Sequence, residues 1–392
     1  MSVEVNADGT YEDTSAAKVI FKNSGLQEAD LRWDNGGFGQ VVAHRLAVGQ
    51  DIVVNTYNGH SFIWTEHGTS RPISERIRIS PTKKRYELTR EDSLAFIKTK
   101  KCVDRYPDFC KKSAKRGECD VAPGWMIVHC PESCNQCDLQ DPKIRCRREA
   151  LDMDQEPIWK PGDLNARFEK ILSSFPEYKV KALSQPPDGP WVLEFQDFIK
   201  KDEAARLIEL NRNSFERSTD QGAVNEFGEM QKVRSTSRTS SNSWCDHNCE
   251  SDPLVAAIYD RIVQVTGVPK ANYEAFQVLQ YQNGQFYRTH HDDSGGDSTP
   301  AGPRILTFFL YLSDVEEGGE TDFPTIGVRA KPKAGSAILW PSMKDEDPEN
   351  ADPRMYHQAM PVIKGTKYAA NAWIHLFNYR VPNLWGCTGS FT

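Results

Sequence analysis

The sequence contains no apolar run near the roughly 18 residues that a membrane-crossing helix needs. Its first thirty residues lack the basic n-region and apolar h-region of a secretory leader. Positive charge is scarce: 48 Lys and Arg stand against 55 Asp and Glu, for a formal charge of −7. Nucleic acid and anionic membranes call for basic patches, so neither is a general partner. No internal repeat and no low-complexity tract is visible. What remains is an ordinary soluble composition, 26% charged and 38% hydrophobic, in 392 residues. That length accommodates two or three domains.

Cysteine is present but unevenly spread. Six of the ten fall between Cys102 and Cys137, with spacing C-x7-C-x8-C-x10-C-x3-C-x2-C. The repeated CxxC knuckle of a zinc ribbon is missing. The window is too short and polar to build a core, so covalent staples are the natural reading over a metal cluster. Disulfides imply an oxidising compartment, the endoplasmic reticulum lumen or secretory pathway, and hence a leader that this sequence does not carry. Of the other four cysteines, Cys245 and Cys249 are close enough for a local disulfide, and a zinc site with His247 would lack a fourth ligand. Cys146 and Cys387 are placed to join the two ends of the C-terminal part, a pairing the sequence leaves open.

The predicted architecture is multidomain and mainly β with α. Residues 1–16 read as disordered. Residues 17–85 show short strands (KVIFK, DLRW, VVAHRL, DIVVNTY, SFIW) punctuated by Asn23-Ser24-Gly25, Asn35-Gly36-Gly37 and Asn58-Gly59, the pattern of a β-sandwich. The cysteine module spans 101–138, and a basic, Pro-containing linker 139–160. Residues 161–392 form one large domain. In it, Leu254, Ile258, Ile262 and Val265 repeat at helical spacing between an Asp252-Pro253 start and Gly267. Strand patterns follow from about 273. Helices packed on a jelly-roll, or double-stranded β-helix, are expected.

The chemistry lies among these strands. In GQFYRTHHDD, His290 and Asp292 are two apart, so on a strand both reach one face. His357 in RMYHQAMPV supplies a third ligand, completing the two-His, one-carboxylate triad of non-haem Fe(II). The register is ambiguous, because His291 and Asp293 form a second HxD on the opposite face. Lys367 opens a strand that reads as buried, KYAANAWIHLF, and a buried cation needs a partner. The far carboxylate of 2-oxoglutarate would be one.

The segments YQNGQFYRTHHD, RILTFFLYLSDVEEGGETDFP and HQAMPVIKGTKYAANAWIH occur in that order over about 190–392. They resemble the catalytic domain of prolyl 4-hydroxylase α subunits, especially the monomeric plant and algal kind. The family pattern runs through Tyr281, Gly284, Gln285 and Tyr287 and so selects His290 and Asp292. The resemblance implies Fe(II) on His290, Asp292 and His357, and 2-oxoglutarate on Lys367, Tyr281 and Thr321. Molecular oxygen would be the oxidant and ascorbate would restore oxidised iron. Hydroxylation of peptidyl proline to 4-hydroxyproline would release succinate and carbon dioxide. A proline-rich or collagen-like polypeptide would lie against Arg238, Ser240, Glu274, Tyr287, Arg304, Trp373 and His375. Asp293 departs from the aromatic residue many relatives carry there. A lysyl hydroxylase or other relative on the same scaffold, and a catalytically silent extracellular binding protein, are the alternatives. Nothing resembles the dimerisation domain of animal collagen hydroxylases, so a monomer is expected.

The two preceding modules carry resemblances of their own. CVDRYPDFCKKSAKRGECDVAPGWMIVHCPESCNQC resembles the ShK toxin-type (ShKT) domain, which implies Cys102–Cys137, Cys110–Cys130 and Cys119–Cys134 and a role as interaction module or spacer. VIFKNSGLQEADLRWDNGGFGQVVAHRLAVGQDIVVNTYNGHSFIW is similar to the β-domain of the von Hippel-Lindau tumour suppressor, strongest at NTYNGHSFIW. Thr56 and His60 match that family's pocket serine and histidine, whereas Phe62 and Ala43 replace its tryptophan and tyrosine. This favours a structural or partner-docking sandwich over one that binds hydroxyproline.

Overall fold

The computed structural model describes residues 3–5, 11–13, 16–34, 40–68, 72–99, 102–153, 156–224, 230–245, 247–293 and 299–388. The chain divides into an N-terminal unit ending at Arg145 and a C-terminal unit from Cys146 onward.

In the N-terminal unit, Ala16–Ser24 alternates exposed and buried residues, turning Ala17, Val19 and Phe21 inward. It pairs antiparallel with Asp51–Tyr57 and parallel with Arg85–Thr89. A second sheet runs in the order Gln40–Leu46, Ala29–Asp34, Ser61–Glu66, Ile77–Arg78. One core joins both, with the Phe21 ring centroid 4.9 Å from Phe62 and 5.5 Å from Tyr86. The expected disorder of 1–16 does not hold for the described part: Val3–Val5 and Tyr11–Asp13 pair antiparallel. The alternating Val-Glu-Val carries β-propensity that an average over a polar segment conceals. The other residues before Ala16 lie outside the described residues, as do Asn35, Gly36 and Gly37.

The cysteine module has three short helices, Pro107–Lys115, Glu118–Val121 and Pro123–His129. Disulfides join Cys102 to Cys137, Cys110 to Cys130 and Cys119 to Cys134. The module's own buried apolar cluster is small, Cys110, Met126 and Cys130 with Tyr106, Phe109 and Trp125 partly buried against it. So small a core cannot offset chain entropy by itself, and the staples carry the module.

The C-terminal unit is built on an eight-stranded sheet. Its order is Val180–Ser184, Val192–Phe195, Ala337–Pro341, Arg304–Tyr311, Lys367–His375, Gln277–Tyr281, Ser241–Trp244, Glu216–Arg217. A four-stranded sheet, Tyr287–His290, His357–Ala359, Thr321–Phe323, Val328–Ala330, accompanies it. Alternation divides the large sheet's side chains. Leu306, Phe308, Leu310, Ala370, Ala372 and Ile374 pack with Phe168, Leu207, Ile258 and Ile262 of the helices Asp163–Ser174, Lys201–Asn211 and Pro253–Thr266. Phe309, Tyr311, Leu279, Tyr281 and Ala369 point the other way, toward Phe323 and Ala330 of the small sheet. The unit is thus mainly β with helices on one face, as a jelly-roll requires. The helix Pro253–Thr266 starts where Asp252 accepts from the Leu254 N–H at 3.0 Å, and ends at Gly267 with φ +68°.

The linker expected over 139–160 is a correction. Leu151, Met153 and Trp159 are buried in the core of the C-terminal unit, and the Arg148 guanidinium lies 3.5 Å from the Phe377 ring. Cys146 is bonded to Cys387. The apolar residues are spaced irregularly among charges and prolines, so no period betrayed them. Cys245 and Cys249 form a local disulfide.

Candidate active site

His290 closes the strand Tyr287–His290, and His357 opens the strand His357–Ala359. The two residues are direct partners in the antiparallel register, which sets their rings 4.3 Å apart between centroids. Asp292 follows just beyond the strand. Its Oδ1 is 3.7 Å from His290 Nε2 and its Oδ2 3.7 Å from His357 Nε2. The three ligand atoms lie within 4.8 Å of one another.

The tautomers are fixed by the backbone. His290 Nδ1–H donates to the Arg288 carbonyl at 2.9 Å, and His357 Nδ1–H to the Met355 carbonyl at 3.0 Å. Each Nε2 lone pair is left facing the shared point, the arrangement found in metal-binding histidines. Thr307 Oγ1–H donates to Asp292 Oδ2 at 2.6 Å and fixes the carboxylate's rotation. Burial lowers the His290 imidazolium to about 3, helped by His357. Burial works to raise the Asp292 carboxyl, but His357, His290, Thr307 and Arg304 outweigh it and keep the group ionised. Two imidazoles and one carboxylate, pre-aimed, with Asp292 and His357 buried and His290 half-buried, form a donor set that fits Fe(II) with coordination positions left open.

These groups line a cavity of about 240 Å³ that also includes Arg238, Trp244, Tyr281, Tyr287, Arg304, Phe309, Thr321, Trp340 and Trp373. Lys367 sits behind this lining, fully buried, opposite Tyr281 in the strand register. Its Nζ donates to the Gly319 carbonyl at 2.8 Å and lies 5.3–5.5 Å from the rings of Phe309, Tyr281 and Tyr311. Among the described residues no carboxylate pairs with it. Burial lowers its pKa to about 7, with Glu320 offsetting part of the effect. Thr321 is buried and accepts from the Tyr311 hydroxyl at 2.8 Å. This enclosed, uncompensated amine beside Tyr281 and Thr321 fits the distal carboxylate of a dicarboxylate ligand.

The residues expected against a peptide separate into two groups. Arg238, Tyr287, Arg304 and Trp373 line the cavity, with Arg238 stacked over Tyr287 at 4.9 Å and Arg304 over Trp373 at 3.8 Å. Ser240, Glu274 and His375 do not line it. Ser240 is buried behind Arg238, whose Nε approaches its Oγ at 3.3 Å. Glu274 and His375 are buried, and Glu274 is bonded to both His375 and Arg304. Strand alternation names a face but not the depth, so these three could not be distinguished from wall residues. His291, expected to point away, lines the cavity too. Its Nδ1 accepts from the Asp293 N–H at 3.1 Å and its Nε2–H donates to the Asp352 carbonyl at 3.2 Å, so neither nitrogen is aimed at the shared point.

Sequence reading missed Thr307, Gln277 and Asn371. Gln277 accepts from Arg238 Nη2 at 2.8 Å and from Asn371 Nδ2 at 3.2 Å. Their signal was a lone polar residue inside an apolar strand, RILTFFLY, AFQVLQY and YAANAWIH, where burial demands a partner. Trp244, half exposed at the cavity and 6.0 Å from the Trp373 ring, was also missed.

Comparison with known proteins bears on this geometry. Residues 276–375 match the 2OG-Fe(II) oxygenase superfamily. Prolyl 4-hydroxylase 2 of Arabidopsis thaliana is 34% identical over 224 residues, covering 51% of this chain and 71% of its own length. The chain belongs to the prolyl 4-hydroxylase family. Prolyl 4-hydroxylase subunit alpha-2 of Gallus gallus is 33% identical over 192 residues, 48% of this chain and 34% of that one. The viral collagen prolyl hydroxylase of Paramecium Bursaria Chlorella virus-1, solved as its 2OG complex, is 26% identical. It covers 49% of this chain and 99% of its own, with a TM-score of 0.37. As a 2-oxoglutarate-dependent dioxygenase of this family, the chain takes Fe(II) as cofactor and 2-oxoglutarate as cosubstrate.

Proposed function

We propose that the chain hydroxylates peptidyl proline to 4-hydroxyproline, with 2-oxoglutarate and molecular oxygen consumed and succinate and carbon dioxide released. One observation carries the reading: a two-His, one-carboxylate cluster with both imidazole tautomers fixed, in a cavity walled by stacked aromatic and cationic side chains. His290, Asp292 and His357 would hold Fe(II), and Lys367, Tyr281 and Thr321 would hold 2-oxoglutarate. The iron, when bound, supplies the oxygen activation that organic side chains cannot, and ascorbate would restore it after oxidation.

The protein's own residues do the rest. The backbone carbonyls of Arg288 and Met355 keep the Nδ1 protons in place. Lys367 is poised to exchange the Gly319 carbonyl for the cosubstrate's carboxylate. Tyr281, Phe309 and Tyr311 exclude water around its amine. Tyr287, Trp373 and Trp244 offer rings for an extended polyproline II peptide, and Arg238 and Arg304 offer donors for its carbonyls. Trp373 Nε1–H is buried with no acceptor among the described residues, a donor suited to a peptide carbonyl.

All ten cysteines are paired, which fits an enzyme of the endoplasmic reticulum lumen. No described helix is long and apolar enough to cross a membrane. A monomer with a proline-rich or collagen-like substrate is the arrangement we favour. In the N-terminal unit, we read 101–138 as a ShKT interaction module and 17–85 as a von Hippel-Lindau-like sandwich. Thr56 meets His60 Nδ1 at 3.0 Å and His60 stacks on Trp33 at 5.1 Å, but Phe62 is spent in the core. That supports protein docking over hydroxyproline binding. The test is succinate release from 2-oxoglutarate with and without a poly-proline peptide, followed by hydroxyproline analysis of the peptide. Succinate without hydroxyproline would point to a different acceptor residue, and the lysyl alternative is read by supplying a lysine-containing collagen-like peptide. Absence of both products would favour the silent binding protein.

A further inference from the structure

Beneath Trp373 runs a chain of buried charge that contacts the proposed metal site through the backbone. Arg304 and His375 are partners across adjacent strands. Glu274 is locked beside them, its N–H donating to the Trp373 carbonyl at 3.1 Å. Arg304 Nε and His375 Nε2 both meet the same oxygen, Glu274 Oε1, the histidine at 2.8 Å. His375 Nδ1 faces the Gly302 carbonyl at 2.8 Å. Both ring nitrogens thus face protein acceptors. At the other end, Arg304 Nη1 donates to the backbone carbonyl of Asp292 at 3.1 Å.

We propose that Glu274, Arg304 and His375 are positioning residues of the metal site, a buried ionic relay that anchors Asp292 through its carbonyl, and that Glu274 and His375 do not contact the peptide. The inference rests on reading Asp292 as an iron ligand. Glu274 and His375 are 4% and 7% exposed and absent from the cavity wall, so their polar atoms are turned to each other and not to the cavity. Arg304 has its flat face covered by Trp373, so the peptide wall and the metal carboxylate share one guanidinium.

The charge balance yields a specific expectation. Glu274 is the counter-ion that keeps Arg304 committed to the relay, and burial of the carboxyl is overcome by Arg304 and His375, which hold it down at about 2. Without Glu274, the nearest anion facing Arg304 is the Asp292 carboxylate, and the guanidinium competes with the metal for it. Removing Glu274 leaves the buried Arg304 guanidinium uncompensated and free to leave the carbonyl it holds.

Co(II), titrated into the metal-free full chain and followed by its visible absorption, reads this without turnover. Glu274→Gln should weaken Co(II) by about tenfold or more, the scale of a lost outer hydrogen bond on a ligand. Arg304→Gln removes the donor to the Asp292 carbonyl and should weaken Co(II) as well, and Glu274→Gln with Arg304→Gln should be no weaker than Arg304→Gln alone, a non-additivity that two independent structural roles would not give. Glu274→Asp keeps the charge and should lose less than Glu274→Gln, and it serves if the neutral variant fails to fold. Wild-type affinity in Glu274→Gln or in Arg304→Gln, losses that simply add in the double variant, or an aspartate variant no better than glutamine would each overturn the relay. A wild-type chain that binds no Co(II) would instead overturn the metal assignment itself.

Discussion

His290 and His357 face each other as register partners on neighbouring antiparallel strands, so a pairing fixed by backbone hydrogen bonds sets the spacing of two imidazoles. A slip of one residue would turn one ring to the opposite face. His290→Ala and His357→Ala should therefore each abolish Fe(II) binding at micromolar metal and all succinate release. His291→Ala should retain iron, since both its nitrogens are engaged elsewhere. Iron retained in His290→Ala but lost in His291→Ala would show that the shifted HxD pair is the binding one.

Thr307 gives a finer test. Its hydroxyl holds Asp292 Oδ2 at 2.6 Å in a fully buried position. Thr307→Val keeps the shape and removes the donor, and metal affinity should fall by about 10–100-fold. Thr307→Ser should recover most of it. Equal affinity in threonine and valine forms, by metal titration, would mean that the carboxylate is oriented without this bond.

How far the site could be read in advance depended on depth. The HxD spacing, the distant His357 and a lysine opening an apolar strand were visible because each breaks a local pattern. The neighbours Glu274 and His375 looked like wall residues, because a period of two assigns a side chain to a face and not to a layer within it. Residues 139–160 looked like a linker because Leu151, Met153 and Trp159 enter the core without any period. Helix Pro253–Thr266 was legible because propensity, cap and terminal glycine agree there.

Lys367 should control the cosubstrate. A buried ion pair broken on one side typically costs about 3–5 kcal/mol, so Lys367→Ala should weaken 2-oxoglutarate by at least about a hundredfold while Fe(II) stays bound. Lys367→Arg should recover part of the loss. An unchanged 2-oxoglutarate titration in Lys367→Ala would move the assignment to Arg304.

The same lysine makes stability depend on pH without ligand. Burial lowers its pKa from 10.5 to about 7. Below pH 7 folded and unfolded chains both hold the proton, and the folded state bears the full cost of a buried charge. Between about 7 and 10.5 the unfolded chain binds more protons, so stability rises with pH. Lys367→Met should melt above wild type, with the gain greatest at or below pH 7 and shrinking toward pH 10. A gain independent of pH would mean that the amine is already neutral throughout.

The Cys146–Cys387 bond spans 241 residues of sequence and closes nearly the whole C-terminal unit, whereas Cys245–Cys249 spans 4. If a cross-link acts by restricting the unfolded chain, its effect grows with the logarithm of the loop, to roughly 5 kcal/mol for the long bond and roughly 2 kcal/mol for the short one. Cys146→Ser with Cys387→Ser should therefore lower denaturant stability by more than Cys245→Ser with Cys249→Ser. Both changes leave the triad and Lys367 untouched, so Co(II) affinity measured below the unfolding transition should stay at the wild-type value. Denaturation with urea, followed by tryptophan fluorescence, separates the two pairs. Equal losses would mean that the unfolded chain already keeps its ends together, and a larger loss from the short pair would place that bond's contribution in the native strand end at Trp244.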